Sequence, residues 1–106
     1  MSDNIIEAKF AETVETVEFT SSGQTVIDKF TATNNTAFSV DLTCHLPNPS
    51  EAFGSSNVIV RSVTIPAWES YLCPELVLHV LENKGTIVVK ASTGNAVIIR
   101  SSGRSV

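Results

Sequence analysis

Residues 38–46, FSVDLTCHL, carry the clearest structural pattern of the chain. Apolar side chains occupy every second position, and the positions between them are polar. Successive residues of a strand point to opposite faces, so this alternation predicts a strand with one buried and one solvated face. Such strands are typical of antiparallel sheets. The buried face comprises Phe38, Val40, Leu42, Cys44 and Leu46, and the solvated face Ser39, Asp41, Thr43 and His45.

The composition favours strands along the whole chain. Val, Ile and Thr supply 32 of the 106 residues, whereas Leu contributes six. Side chains that branch at Cβ lose rotamer freedom in a helix and pack well on a pleated sheet. A chain of this length is expected to form one domain around a single core.

Turn-forming residues divide the chain into seven or eight short strands. Clusters of Gly, Asn, Ser and Pro separate apolar segments of strand length, as in a β-sandwich. We therefore predict an all-β fold, an antiparallel β-sandwich that is jelly-roll-like. One segment, residues 75–81, fits a strand or a single helical turn equally well. Besides residues 38–46, strands are expected at 11–20, 25–33, 58–65, 70–73, 86–92 and 96–101.

The first ten residues show mixed polarity and no sustained period. We expect an N-terminal arm over residues 1–10 and a single β-sandwich domain over residues 11–106. Ile5, Ile6 and Phe10 are the candidate interface residues of that arm, which would become ordered when it binds a partner. The alternative is a disordered extension whose apolar residues have no role.

The formal charge of −4 is divided unevenly, because residues 1–60 carry −6 and residues 61–106 carry +2. Nucleic-acid binding needs several Lys or Arg side chains on one face, and the sequence has no basic cluster. We therefore expect no nucleic-acid partner. No apolar run approaches the roughly 20 residues that span a bilayer, and the first residues lack a secretory signal pattern. We expect folding in a cytoplasm and no membrane partner.

The sequence offers few residues for catalysis or metal binding. His45 and His79 are the only histidines, and neither has a Cys or carboxylate at metal-ligand spacing. Cys44 precedes His45, but adjacent strand residues point to opposite faces and cannot converge on one ion. No G-x-S-x-G motif and no glycine-rich phosphate loop occurs. We expect no enzymatic activity, no metal and no cofactor.

Trp68 and Tyr71 lie in the turn region PAWESYLCP, residues 66–74. Two aromatic side chains near a loop can form a platform for a sugar or a peptide, so both are candidate interface residues. The alternative is that Trp68 closes one end of the sandwich core, because large aromatic side chains are mostly buried.

The two cysteines are too few to stabilise a small secreted fold. Cys44 lies on the apolar face of its strand, and Cys73, next to Pro74, is expected nearer a surface or an edge. Thiols stay reduced in a cytoplasm, so a Cys44–Cys73 disulfide would form only outside a reducing cell.

Residues 63–103 read VTIPAWESYLCPELVLHVLENKGTIVVKASTGNAVIIRSSG. An apolar strand leads into a short turn with an acidic residue, and a Leu-rich stretch follows. Next come a turn that contains Gly, a strand that ends in KAS, and the segment GNAV, which begins a strand that ends in SG. This order resembles small virion proteins of tailed bacteriophages. The segment TATNNTAFSVDLTCHL, residues 31–46, resembles their strand-turn-strand unit. The family's turn after the first strand has Gly where this chain has Trp68.

The resemblance implies a structural virion subunit, such as a capsid decoration (cement) protein that binds and stabilises the particle as an oligomer. The implied partners are the major capsid protein or tail and neck subunits, together with further copies of the chain, for example in a trimer. A neck, collar or tail surface subunit and a carbohydrate- or receptor-binding fibre module are the alternatives. The family implies no catalytic residues, and the expected location is the virion, after synthesis in the host cytoplasm.

Overall fold

The computed structural model of the chain describes residues 3–106, which form nine strands and no helix. This confirms the predicted all-β class and adds strands to the seven or eight expected. In chain order they are β1 (Asp3–Phe10), β2 (Thr16–Thr20), β3 (Thr25–Asn34), β4 (Val40–His45), β5 (Val58–Ile65), β6 (Ser70–Tyr71), β7 (Val80–Leu81), β8 (Thr86–Ala91) and β9 (Val97–Ser105).

The strands form two antiparallel sheets. One has the order β1-β9-β3-β6, with β7 also paired to β3, and the other has the order β2-β8-β4-β5. The pairing is nested: β4 pairs with β5, β3 with β6 and β7, β2 with β8, and β1 with β9. The chain therefore runs as one long folded hairpin whose first strand lies beside its last.

The hydrophobic core contains side chains from both sheets. Its largest members come from the central strands β3, β9, β4 and β8, together with Ile65 at the end of β5 and Leu76 in the segment after β6. Burying one such side chain stabilises the fold by about 1.5–3 kcal/mol. The largest fully buried apolar side chains are Phe30, Ile27, Leu42, Ile65, Leu76, Ile87 and Ile99.

Strand β4 follows the alternation read from the sequence as far as Cys44. Its apolar positions are buried and Asp41 is exposed. His45 departs from the pattern and is buried, because its ring Nδ1 lies 3.0 Å from Asn57 Oδ1 and so has a polar partner. Phe38 precedes the strand, and its side chain is 78% exposed rather than part of the buried face.

The N-terminal segment differs from the expected arm. Residues 3–10 are paired with β9 as an edge strand, from Asp3–Gly103 to Phe10–Ile98. Ile6 is only 3% exposed and belongs to the core. The edge of β9 supplies hydrogen-bond partners for this backbone, which explains why a segment with a weak apolar pattern becomes a strand. Residues 1 and 2 of the expected arm lie outside the described residues.

Three further segments refine the sequence prediction. The strand expected at 11–20 begins only at Thr16, and the last strand continues to Ser105. The ambiguous segment 75–81 is a series of turns followed by the two-residue strand β7. The secondary structure of such a short segment is determined by the strand with which it pairs rather than by its own propensity.

A charged pair joins the two sheets at their β1 and β2 edges. Lys9 Nζ of β1 lies 2.8 Å from Glu18 Oε1 of β2, and the Glu18 side chain is fully buried. Beyond this ion pair, neither Glu18 oxygen has a hydrogen-bond partner among residues 3–106. The hydrogen bond to Glu18 raises the pKa of the Lys9 ammonium. Glu18 therefore depends on a single cation for its compensation.

We expect Lys9→Met to lower the free energy of unfolding by about 1–3 kcal/mol at neutral pH, because it leaves the buried Glu18 carboxylate without its partner. Urea unfolding followed by circular dichroism measures this change. Lys90→Met is the control, since Lys90 lies 3.9 Å from the less buried Glu15 and should change stability by less than about 1 kcal/mol. The double variant Lys9→Met/Glu18→Met should recover most of the loss. Equal effects of Lys9→Met and Lys90→Met would contradict this account.

Candidate functional site

The connection from β5 to β8 covers the open edge of β3. Strand β6 pairs with β3 through Tyr71 and Ala32, and β7 pairs with it through Leu81 and Thr25. Between them, Leu78 N donates to the Ile27 carbonyl oxygen at 2.7 Å. The backbone of residues 70–81 therefore closes this edge of the sheet.

This connection exposes several large apolar side chains. Trp68 and Leu78 are 64% and 67% exposed, and Leu72 and Val80 are also exposed. Leu76 and Leu81 from the same segment are buried and anchor it to the core. These exposed side chains are spread along one edge of the sheet, and exposed apolar side chains that recur along an edge are a candidate interaction surface. We call this surface the apolar edge and define it as Trp68, Leu72, Leu78 and Val80.

Two residues of the apolar edge have an unfavourable backbone conformation. Glu69 N donates to the Pro66 carbonyl oxygen at 3.2 Å, which closes a tight turn with Trp68 at its third position. Trp68 has φ 61° and Leu78 has φ 70°. The third position of such a turn favours Gly, and a non-glycine residue there costs about 1–2 kcal/mol. The turn thus keeps a glycine-like shape although the chain has Trp68.

Asn34, at the end of β3, connects this turn to a second exposed aromatic residue. Its side chain is fully buried. Asn34 Nδ2 lies 2.6 Å from the Phe38 carbonyl oxygen, 3.0 Å from that of Ile65 and 3.2 Å from that of Pro66. Its Oδ1 accepts hydrogen bonds from the amide and the hydroxyl of Thr36. One amide group therefore fixes the loops that carry Phe38 and the Trp68 turn.

Tyr71 makes an internal contact at the apolar edge. Its hydroxyl donates to the Glu75 carboxylate, 2.6 Å from Oε1 and 2.7 Å from Oε2. Burial and then this carboxylate raise the pKa of Tyr71 to about 12. The hydroxyl is thus occupied within the chain, and Trp68 is the aromatic side chain of this region that is free to contact a ligand or partner.

Both cysteines are buried and free. Burial, followed by the charge of Glu75, raises the pKa of Cys73 to about 12, and burial raises the pKa of Cys44 well above its ordinary value. The thiolate is the reactive form of cysteine, so neither thiol has the character of a nucleophile. Cys73 is fully buried rather than near the surface, which corrects the expectation from Pro74.

The structure separates the predicted interface residues into two groups. Trp68 and Tyr71 flank the start of β6, whereas Ile5, Ile6 and Phe10 lie on β1 at the opposite edge of the same sheet. Ile6 is buried and cannot be a free anchor, Ile5 is half-buried, and Phe10 is exposed. The exposure of Trp68 favours the platform over the closure of the core.

Sequence reasoning missed four members of this region, Phe38, Leu72, Leu78 and Val80. Phe38 continues the alternating apolar pattern of β4, and that pattern predicts a buried side chain. Leu72, Leu78 and Val80 lie among buried apolar residues of similar type. The one sequence feature that pointed to this exposed region was Trp68, at a position where the similar virion proteins have Gly.

Among residues 3–106, no group of three or more His, Cys, Asp or Glu side chains could hold a metal ion. Within the same range, no helix is of a length and hydropathy that would cross a bilayer. The chain matches no family model, no curated protein and no solved structure.

We expect Trp68→Gly to raise the free energy of unfolding by about 1 kcal/mol, because glycine adopts positive φ without the Cβ clash. Ala67→Gly is the matched control: Ala67 is not at positive φ, so the added backbone freedom should destabilise the chain. Thermal or urea unfolding measures both. A loss of stability in Trp68→Gly would show that the Trp side chain itself stabilises the turn.

The raised pKa values give an expected pH dependence. Tyr71 and Cys73 have folded pKa values of about 12, above their ordinary values of 10.0 and 9.0. Their contribution to stability is complete below the unfolded pKa and is lost as the pH rises through the folded pKa. Under reducing conditions, stability should fall from about pH 9 towards pH 12, and Cys73→Ala should reduce this fall. An unchanged alkaline slope in Cys73→Ala, measured by urea unfolding, would contradict the role of this thiol.

Proposed function

We propose that this chain is a non-enzymatic structural subunit of a tailed-bacteriophage virion, namely a capsid decoration (cement) protein that binds the particle as an oligomer. The observation that carries this proposal is the apolar edge, in which Trp68 and Leu78 are exposed at positive φ. Strained residues persist where they serve a function, and exposed apolar side chains serve contact with a partner.

The nested strand pairing supports the same proposal. In our interpretation the orders β1-β9-β3-β6 and β2-β8-β4-β5 are those of a jelly roll, in which β6 and β7 together take the place of one strand beside β3 and Greek-key connections join the two sheets. Virus capsid proteins and lectins use this architecture. Fold alone does not define a function, so the sheets support the proposal only together with the apolar edge.

The mechanism is attachment through many weak and identical contacts. Each copy would bury its apolar edge against a capsid, tail or neck subunit, or against a second copy. Contacts that repeat on a symmetric lattice give persistent binding without a strong single contact. Asn34 holds the loops of Phe38 and Trp68 in place before binding, which lowers the ordering cost. In a closed arrangement such as a trimer, the same edge would be buried in every copy.

A carbohydrate- or receptor-binding fibre module is the second candidate, and the exposed Trp68 favours it. An indole face can stack on a sugar ring or a peptide. Saturable quenching of Trp68 fluorescence by a saccharide, with a monomeric chain, would support this candidate. A neck, collar or tail surface subunit would use the apolar edge as proposed for the decoration protein and differs only in its partner.

The experiment quantifies the chain in purified particles of the phage that encodes it and then rebuilds the contact. Mass spectrometry should find the chain at a fixed ratio to the major capsid protein. Particles that lack the chain should bind the purified protein in co-sedimentation. The double variant Trp68→Gly/Leu78→Gly should bind roughly 30-fold more weakly, the scale of losing a hot-spot residue.

The matched control is Val14→Ala, which removes part of a side chain as exposed as Trp68 but outside the apolar edge. It should bind particles like the unaltered chain. Circular dichroism should show that each variant keeps its strands. Absence of the chain from purified particles would overturn the virion assignment. Equal binding of the double variant and Val14→Ala would remove the apolar edge from the mechanism.

A further inference from the structure

A shallow depression lies on the solvent face of the sheet formed by β1, β9 and β3. Its volume is about 260 Å³, which is below the roughly 300–1,000 Å³ of sites for drug-sized ligands. It is separate from the apolar edge and shares no residue with it. Its lining consists of Asn4, Lys29, Thr31, Arg100, Ser101 and Ser102.

The strand register brings these polar side chains together. Ser102 of β9 pairs with Asn4 of β1 on one side and with Lys29 of β3 on the other, and Arg100 pairs with Thr31. Paired residues of neighbouring strands have Cβ atoms about 5 Å apart on the same face. An amide and a hydroxyl therefore lie in one row with Lys29, and a second hydroxyl lies beside Arg100 in the next row.

Irregular pairing occurs on both sides of Ser102. The register shifts between Asn4 and Ile6 on β1 and between Ile27 and Lys29 on β3. Bulges bend a strand, change the direction of side chains and are common beside functional sites. One such bulge lies on each side of Ser102 in the middle strand β9. The two bulges account for the depression in this face of the sheet.

Within residues 3–106, no ion pair compensates the positive charge of the depression. The three ion pairs within residues 3–106 use Lys9, Lys90 and Arg104, so neither Lys29 nor Arg100 takes part in one. No acidic residue lines the depression. Glu7 lies near the position opposite Arg100 on β1 but does not contribute to the lining. Two cations that form no ion pair with the described residues therefore share one small site in a chain of net charge −4.

We propose that this depression binds an acidic sugar, a single saccharide unit that carries a carboxylate or sulfate group. Arg100 and Lys29 would donate charge-assisted hydrogen bonds to the oxyanion. The Asn4 amide and the hydroxyls of Thr31 and Ser102 can donate and accept, as the hydroxyl groups of a sugar ring require. A nucleic acid fits less well, because the chain as a whole is acidic and offers only two cations here. This inference does not depend on the virion assignment.

The test is a titration of the ¹⁵N-labelled chain with glucuronate, followed by the amide signals in NMR. Glucuronate should cause saturable shifts centred on residues 29–31 and 100–102. Glucose tests the need for the oxyanion, and inorganic phosphate tests the need for the sugar. The double variant Lys29→Gln/Arg100→Gln should bind glucuronate at least about tenfold more weakly, because two charged hydrogen bonds are lost.

The matched control is Arg61→Gln/Lys84→Gln, which removes the same charge from two other cations that form no ion pair within the described chain. Its affinity for glucuronate should equal that of the unaltered chain, and dispersed amide signals should show that both variants are folded. If both double variants lost the same affinity for glucuronate, the effect would be one of net charge, and the proposed site would be wrong. Equal binding of glucose or of phosphate alone, or no shift with glucuronate, would also overturn it.

Discussion

The structure depends on the pairing of strand β3 along both of its edges. On one side β9 pairs with it from Thr25–Ser105 to Asn34–Val97, and on the other side β6 and β7 cover it. The approach of β9 is so close that a Cβ atom at Gly103 would lie 2.6 Å from the Val26 carbonyl oxygen. If residues 70–81 detached, buried backbone groups of β3 would lose their hydrogen-bond partners, and this would destabilise the fold. The apolar edge and the polar depression both lie on elements that this strand positions.

The sequence predicted the parts of the fold in which one face is buried and the other is wet. β4 was predicted through its alternation, because side-chain burial follows the period of the strand. β5 was predicted with its observed bounds from a run that is apolar on both sides, but it lies at a sheet edge and pairs with β4 alone among the described strands. β1 was not predicted as a strand, since its pairing is determined by the edge of β9 some 90 residues later in the chain. Likewise, nothing local distinguishes the exposed Leu72 and Leu78 from the buried Leu76. The candidate site was therefore found only in part, through Trp68 and Tyr71.

The turn at Trp68 shows how stability and contact oppose each other in this chain. A glycine would fit the backbone at φ 61° with less strain and would expose no apolar surface to water. The indole contributes no ring contact within the described chain, where the one aromatic pair is His45 with Phe53. Natural proteins accept local costs of this kind where a side chain acts outside the fold. The same reasoning applies to Leu78, at the other end of the apolar edge.

The position of β9 between β1 and β3 also has a consequence for biosynthesis. Strand β1 cannot pair until β9 has been synthesised, because its neighbour in the sheet is β9, Val97–Ser105. The nascent chain must therefore emerge past residue 105 before this sheet can close. Pairing between distant segments also slows folding into the millisecond-to-second range. During that interval the exposed apolar strands can aggregate with other chains, so the yield of folded protein depends on the concentration of unfolded chains and on chaperones.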